Sequence, residues 1–406
     1  MSATPRVPDQ ERLVALRHAL HAEPEVSGRE AATAARVAAF IESYEPRQLV
    51  KGIGGHGMAA VFGPENRRPG EATVVLRAEL DALPIAEAGH AKPYASRHPD
   101  TAHLCGHDGH MAIVAGVAPW LREHPLERGR VVLLFQPAEE TGAGARAVAA
   151  EERYRALAPD WAFALHNLPG YPSGSLLVRP GALTAASVGL EIRLIGRSAH
   201  AAQPELGLNP ADAVVRLVPR LAALGAGSQR PEELAMATVV HVRVGDRAFG
   251  TAPGSAEVLV TLRAASDDAL AALRRAAVAR TEQEAERDGL RLELNWHDTF
   301  PATVNDPAAV ALVECVGREL GLIVAPPRES PFRWSEDFGW LLRAVPGAMV
   351  GLGAGAQQPP LHAPDYDFPD ELLPIGVELL GVLATRAAAS PPRTGPPSPP
   401  TTPEHA

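Results

Sequence analysis

V-V-L-R-A-E-L-D, residues 74–81, opens with a short apolar strand and closes on acids. Val74 to Leu76 carry the β-prone run, and Glu79 and Asp81 fall just past its end. The arrangement recurs along the chain. Val131 to Phe135 reads as a second buried strand, stopped by Pro137, with Glu139 and Glu140 next. Ala162 to Leu165 is a third, with His166 at its tip, and Ala348 to Leu352 a fourth, with a Gly-rich loop leading to His362. Helical patterns lie between. Leu13, Leu16 and Leu20 space a helix over 9–22, and Ser27 with Glu30 predicts a capping box for a helix at about 28–43. Apolar strands alternating with helices predict an α/β domain whose mostly parallel sheet is buried on both faces. Ligands of open α/β sheets gather at the carboxyl ends of the strands. Positions 105, 107, 140, 166 and 362 can therefore meet at one place.

The densest chemistry is H-L-C-G-H-D-G-H, His103 to His110. A thiol, imidazoles and a carboxylate this close offer soft and borderline donors to a transition metal. The glycines let the backbone turn so that neighbouring side chains converge. The apolar run Met111 to Leu121 reads as a buried helix, which puts Cys105 just before a helix N-terminus, where the dipole favours a thiolate.

From Ser187 the pattern changes. Val188, Leu190, Ile192 and Leu194 alternate with polar or small residues, as in a strand with one solvated face. A helix follows, with Asn209 as N-cap and Pro210 first. Strands at about 237–244 and 256–263, a helix at about 267–287 and a strand from Leu290 to Trp296 complete β-α-β-β-α-β, the ferredoxin-like order. The expected organisation is a catalytic domain in two parts, 1–184 and 298–387, around an inserted ferredoxin-like α+β domain, 185–297. Residues 388–406 form a Pro-rich tail expected to be disordered.

The totals narrow the class. With 406 residues, two domains are natural. A net charge of −10 argues against nucleic acid as a partner. No apolar stretch approaches a membrane span, and the N-terminus shows no signal-peptide core, so the expectation is a cytoplasmic enzyme with no membrane partner. Two cysteines make no disulfide framework. Cys315, amid Val310, Val313 and Val316, reads as a core thiol.

Two divalent ions held by Cys105, His107, Glu140, His166 and His362 would polarise a carbonyl and acidify a shared water. Glu139, beside the ligand Glu140, is the candidate general base, since adjacent acids take different jobs when only one is fixed on metal. Asp81 is a candidate to hydrogen-bond a ligating His and fix its orientation.

Over about residues 11–385 the sequence resembles the aminoacylase/carboxypeptidase-G class of two-metal hydrolases, in the branch of hippurate, auxin-conjugate and aminobenzoyl-glutamate hydrolases. The motifs are R-H-A-L-H-A-E-P-E (17–25), R-A-E-L-D-A-L-P (77–84), H-L-C-G-H-D-G-H (103–110), F-Q-P-A-E-E (135–140), A-L-H-N-L-P (164–169), G-R-S-A-H-A-A-Q-P (196–204), S-E-D-F (335–338) and L-H-A-P-D-Y-D-F (361–368). The resemblance implies the same five ligands, two divalent ions (Zn, Mn, Co or Ni) and Glu139 as base. It also implies a homodimer through the inserted domain, with His200 helping to hold the reacting carbonyl, from a neighbouring subunit in some relatives.

Three positions depart from the pattern. Glu79 stands where relatives have Asp, Glu205 where many have His, and Gly250 where many have an Asn thought to contact the substrate's carboxylate side. Arg263 remains a candidate carboxylate partner. The expected substrate is an N-acyl amino acid or related small amide. The alternatives are a dipeptidase or carboxypeptidase with the same metals, or an inactive metal-binding assembly protein. An unligated base such as Glu139 argues against the last.

Overall fold

The computed structural model describes residues 7–65, 68–88, 92–225, 233–326 and 328–390. Two compact units divide them. One gathers the described residues of Met1–Leu183, Thr303–Arg328 and Asp337–Pro400; the other gathers those of Thr184–Ala302 with Glu329–Glu336.

The first unit is built on a seven-stranded sheet in the order Gln48–Ile53, Gly57–Phe62, Arg130–Gln136, Thr73–Glu79, Trp161–Pro169, Gly347–Gly355, Leu176–Leu177. Its middle four strands are mutually parallel, and the outer pairings are antiparallel. Thr73–Glu79 is buried at every position, as a strand covered on both faces must be. The helices Gln10–Ala22, His107–Glu123 and Leu372–Ala388 share the main core with the sheet. The His107–Glu123 helix is buried along nearly its whole length, which accounts for the unbroken apolar run of its sequence. His166 lies inside its strand, which runs three residues further, rather than at the tip.

Local expectations fail at three places here. The helix at Ala31–Glu42 starts without a capping box, because other segments recruit both side chains. Ser27 Oγ donates to Asp81 Oδ2 at 2.7 Å, and Glu30 Oε1 accepts from the N–H of Gly28 and of Ala138. Cys315 is exposed, not a core thiol. The buried stripe of its helix is Ala309, Val310, Val313 and Val316, and two residues on from Val313 a helix points the other way. The Leu372–Ala388 helix also takes in the first residue assigned to the tail, whose residues 391–406 lie outside those described.

The second unit has a four-stranded antiparallel sheet in the order Ala235–Val244, Ser255–Ala264, Ala186–Ile195, Arg291–Phe300. Numbered along the chain this is 2-3-1-4, the ferredoxin-like arrangement. Burial alternates along Ser255–Ala264, so one face packs on helices Ala211–Ala222 and Asp267–Arg287 through Val258, Val260 and Leu262 against Leu217, Leu221 and Leu273. Asn209 Oδ1 accepts from the N–H of Ala211, one residue before the helix proper begins. Ser266 caps the longer helix by accepting from the N–H of Ala269, with Asp267 and Asp268 in its first turn. The last strand extends to Phe300, past Trp296. Among the described residues no helix is long and apolar enough to cross a membrane.

Candidate metal centre

The parallel strands of the first unit deliver their acids and imidazoles at their carboxyl ends. Glu79 closes the Thr73–Glu79 strand, and Asp81 follows two residues on. After Arg130–Gln136 and Pro137, Ala138 adopts a left-handed φ of 51°, turning the chain so that Glu139 and Glu140 follow at once. Gly106, at φ 91°, separates Cys105 from His107 and caps the helix His107–Glu123. His362 is also left-handed, at φ 67°, a conformation that costs energy in a non-glycine residue and gathers at functional sites. Its N–H donates to the carbonyl of Leu104 at 2.8 Å, which clips the His362 turn to the Cys105 segment.

These placements bring five candidate ligands together. The donor atoms of Cys105, His107 and His166 lie within 4.8 Å of one another, and so do those of Cys105, Glu140 and His362. Cys105 belongs to both sets, as a thiolate shared by two ions would. Its Sγ is 3.6 Å from His166 Nε2. Glu139 shares a third set with His107 and Glu140; His107 Nε2 is 3.9 Å from Glu139 Oε2 and 3.9 Å from Glu140 Oε1. His362 Nε2 is 3.9 Å from Glu140 Oε1, and its side chain is 48% exposed, so the cluster opens to solvent on that side.

The electrostatics suit a cation. His107 Nε2 is buried and makes no hydrogen bond among the described residues, and such a group needs a partner. Burial alone would lower the His107 pKa, but the carboxylates of Glu79, Glu140 and Asp81 outweigh it and raise it to about 9. The surroundings thus favour positive charge at this point. His166 is held well below its usual pKa by burial and by His110, which keeps its ring neutral, as a ligand must be. Thiolate, imidazole and carboxylate together fit a divalent transition metal.

Asp81 corrects the sequence reading. His107 Nδ1 donates to the Asp81 backbone carbonyl at 2.8 Å, whereas the nearest carboxylate oxygen is 3.9 Å away. The carboxylate instead accepts from the Glu140 N–H at 3.0 Å and from Ser27, so it fixes the turn that carries Glu140.

Sequence reasoning passed over the polar floor beneath this cluster. Arg77, fully buried in its strand, pairs with Glu79 and with Asp337 at 2.7 Å, and donates to Gln136 at 2.8 Å. Glu79 is 2.8 Å from His110 Nδ1. On the other side of the H-D-G-H turn, Asp108 accepts from Arg17 at 3.1 Å and lies 2.9 Å from His21, whose other nitrogen is 2.9 Å from Glu87. An arginine within an apolar strand was the available signal for the first network, because a buried charge demands partners.

The substrate-side candidates lie in the second unit. Thr251–Ala252 pairs with Ala199–His200, and the Ala201 N–H donates to the Gly250 carbonyl at 3.0 Å, so His200 and Gly250 are neighbours. His200 is exposed, and its Nδ1 accepts from the Ala202 N–H. Arg263 lies elsewhere, donating to Ser335 Oγ at 2.9 Å and to the Arg333 carbonyl.

Comparison with known proteins agrees with this geometry. The family description Peptidase family M20/M25/M40 matches residues 75–386. The chain is 31% identical over 349 residues to the N-acetyl-L-cysteine deacetylase of Bacillus subtilis (strain 168), covering 85% of this chain and 80% of the relative. It is 30% identical over 390 residues to the N-acetyldiaminopimelate deacetylase of Exiguobacterium sibiricum, covering 91% and 98%. A Bacillus subtilis crystal structure described as a dinuclear metal binding peptidase from the M20 family superposes with a TM-score of 0.77 at 26% identity, covering 94% of this chain and 99% of that one. A hydrolase with a divalent-metal site, and an amidohydrolase by its relatives, the chain belongs to peptidase family M20/M25/M40.

Proposed function

We propose that the protein cleaves the amide bond of N-acyl amino acids or closely related small N-acyl amines, with Cys105, His107, Glu140, His166 and His362 holding two divalent ions. The observation that carries the reading is the two donor triads sharing Cys105, with Glu139 beside them. Bound divalent ions supply Lewis acidity, polarising the scissile carbonyl and bringing the pKa of a coordinated water to about 7 in the zinc case. Glu139 takes a proton from the attacking water and delivers it to the amine nitrogen as the C–N bond breaks. The products are a carboxylate and an amine. Asp81 holds Glu140 and, through its carbonyl, His107.

In the second unit, His200 and Gly250 are the substrate-side positions, and Arg263 is a candidate partner for a substrate carboxylate. We assign the dimer contact to this unit too: its edge strand Ala235–Val244 exposes Val240 at 60% and Val242 at 43%, apolar surface suited to a second copy. A ligating Cys105 calls for a reducing compartment, which supports a cytoplasmic location.

The test is a panel of N-acyl amino acids and dipeptides, assayed after the metal-free protein is reloaded separately with Zn²⁺, Mn²⁺, Co²⁺ or Ni²⁺. Turnover of the acyl compounds is expected. Release of amino acids from dipeptides, with no action on acyl compounds, would transfer the site to a dipeptidase.

A further inference from the structure

We infer that Asn167 is the positioning residue that locks the ligand-bearing segments together, and that its amide sets how tightly the site holds divalent ions. The inference rests on the ligand set proposed above. Four contacts converge on this one side chain and its peptide. The Asn167 carbonyl accepts from His166 Nδ1 at 2.9 Å. That fixes the tautomer of His166 and leaves Nε2, the nitrogen 3.6 Å from Cys105 Sγ, to face the cluster. The Asn167 amide also lies directly under the turn between Cys105 and His107: a Cβ built on Gly106 would fall 2.5 Å from Asn167 Oδ1. Only glycine lets the ligand turn settle onto this amide.

The two ends of the amide reach the remaining segments. Asn167 Nδ2 donates to Tyr366 Oη at 2.5 Å, four residues beyond His362. Asn167 Oδ1 is 2.5 Å from His110 Nε2, and His110 Nδ1 is in turn 2.8 Å from Glu79 at the end of its strand. Asn167 and Tyr366 are fully buried, and His110 nearly so. An Asn side chain has a donor and an acceptor on one short planar group, so it can satisfy a ring nitrogen and a phenol at once. An apolar residue there would leave both buried partners unpaired and the ligand turn unsupported.

The experiment compares wild type with Asn167→Ala, Asn167→Asp and Tyr366→Phe. Co²⁺ and Zn²⁺ dissociation constants and the Co²⁺ absorption spectrum are measured, with circular dichroism of each metal-free protein to establish folding. Loss of an outer hydrogen-bond partner weakens metal binding by roughly 10–100-fold, and that is the expectation for Asn167→Ala, with an altered Co²⁺ spectrum and a fall in kcat rather than a rise in KM. Asn167→Asp keeps the shape and both acceptor positions and should recover part of the affinity; Tyr366→Phe should show a smaller loss. Folded Asn167→Ala and Tyr366→Phe proteins with wild-type affinity and spectrum would overturn the inference. If Asn167→Ala does not fold, Tyr366→Phe decides by the same criterion. A wild-type chain that binds neither ion refutes the ligand set itself, a separate outcome from a binding wild type with unaffected variants.

Discussion

The two units present their functional candidates in opposite settings. In the first, Thr73–Glu79 is buried at every residue, and the polar groups at the strand ends are fastened to one another: Arg77 to Asp337, Glu79 to His110, Asp81 to Glu140. In the second, burial alternates along Ser255–Ala264, and His200 and Gly250 stand exposed on a two-stranded ribbon. A donor cluster needs geometry held to fractions of an ångström, and a sheet covered on both faces supplies it. A half-solvated surface can change residues at little cost to folding. The contrast assigns the reaction to the first unit and substrate choice to the second.

The largest effect expected from that division is at Glu139. Glu139→Gln should retain both metals and lose roughly the 10²–10⁴-fold that general-base catalysis contributes, read from kcat alongside metal analysis. Unchanged turnover would remove Glu139 from the proton transfer. Next come the ligands. Cys105, buried and common to both triads, should cost more metal on replacement by Ala than His362, whose ring is half exposed. Cys105→Ala should exceed the roughly 10–100-fold that outer partners cost, measured as metal content after dialysis. Full occupancy in either variant would strike it from the ligand set.

A third difference is in how stability responds to pH. Burial would lower the His21 pKa, but hydrogen bonds to Asp108 and Glu87 raise it to about 9, against opposition from Lys92. Arg17, Tyr94 and His103 are the other titratable groups packed around it. A pKa raised on folding adds stability that is complete below the unfolded value of about 6.5 and is lost as pH climbs through about 9. The Tm should therefore fall between those values in the wild type and fall less in His21→Gln. In the second unit His297 sits 2.9 Å from Glu191 with its side chain 53% exposed, so His297→Gln should leave the profile alone. Equal flattening by both substitutions would erase the contrast.

Periodicity made both sheets legible, because continuous apolar runs and alternating ones report directly on how many faces are covered. The strands around Val74, Val131 and Ala348 and the β-α-β-β-α-β order needed nothing more. The donors at strand ends were readable for the same reason, since acids and imidazoles after an apolar strand have few structural uses. What stayed hidden were side chains whose partners are distant in sequence. Arg77 meets Asp337, Asn167 meets Tyr366, and Ser27 and Glu30, which look like a local cap, are drawn to Asp81 and Ala138. No local rule anticipates those pairings. Asp81 shows the same limit at finer grain: the residue lies beside His107, but its carbonyl does the work expected of its carboxylate.

The smallest expected effect falls at Gly250, and it bears most directly on the second unit's role. Gly250 is not left-handed, and a Cβ built there meets nothing within 4 Å, so a larger residue carries no backbone or packing penalty. Its carbonyl already holds the Ala201 N–H beside His200, and that bond is independent of the side chain. Gly250→Asn therefore adds an amide next to His200 without disturbing the ribbon. If this position reads the substrate's carboxylate side, the new hydrogen bonds should raise kcat/KM for N-acyl amino acids with a free carboxylate over the matching esters or amides. One neutral hydrogen bond contributes about 0.5–1.5 kcal/mol, a change of a few-fold to about tenfold. Metal content and turnover of uncharged substrates should stay at wild-type levels. An equal gain on charged and uncharged substrates would mean that Gly250 affects the reaction itself, and the separation of chemistry from selectivity between the two units would fail.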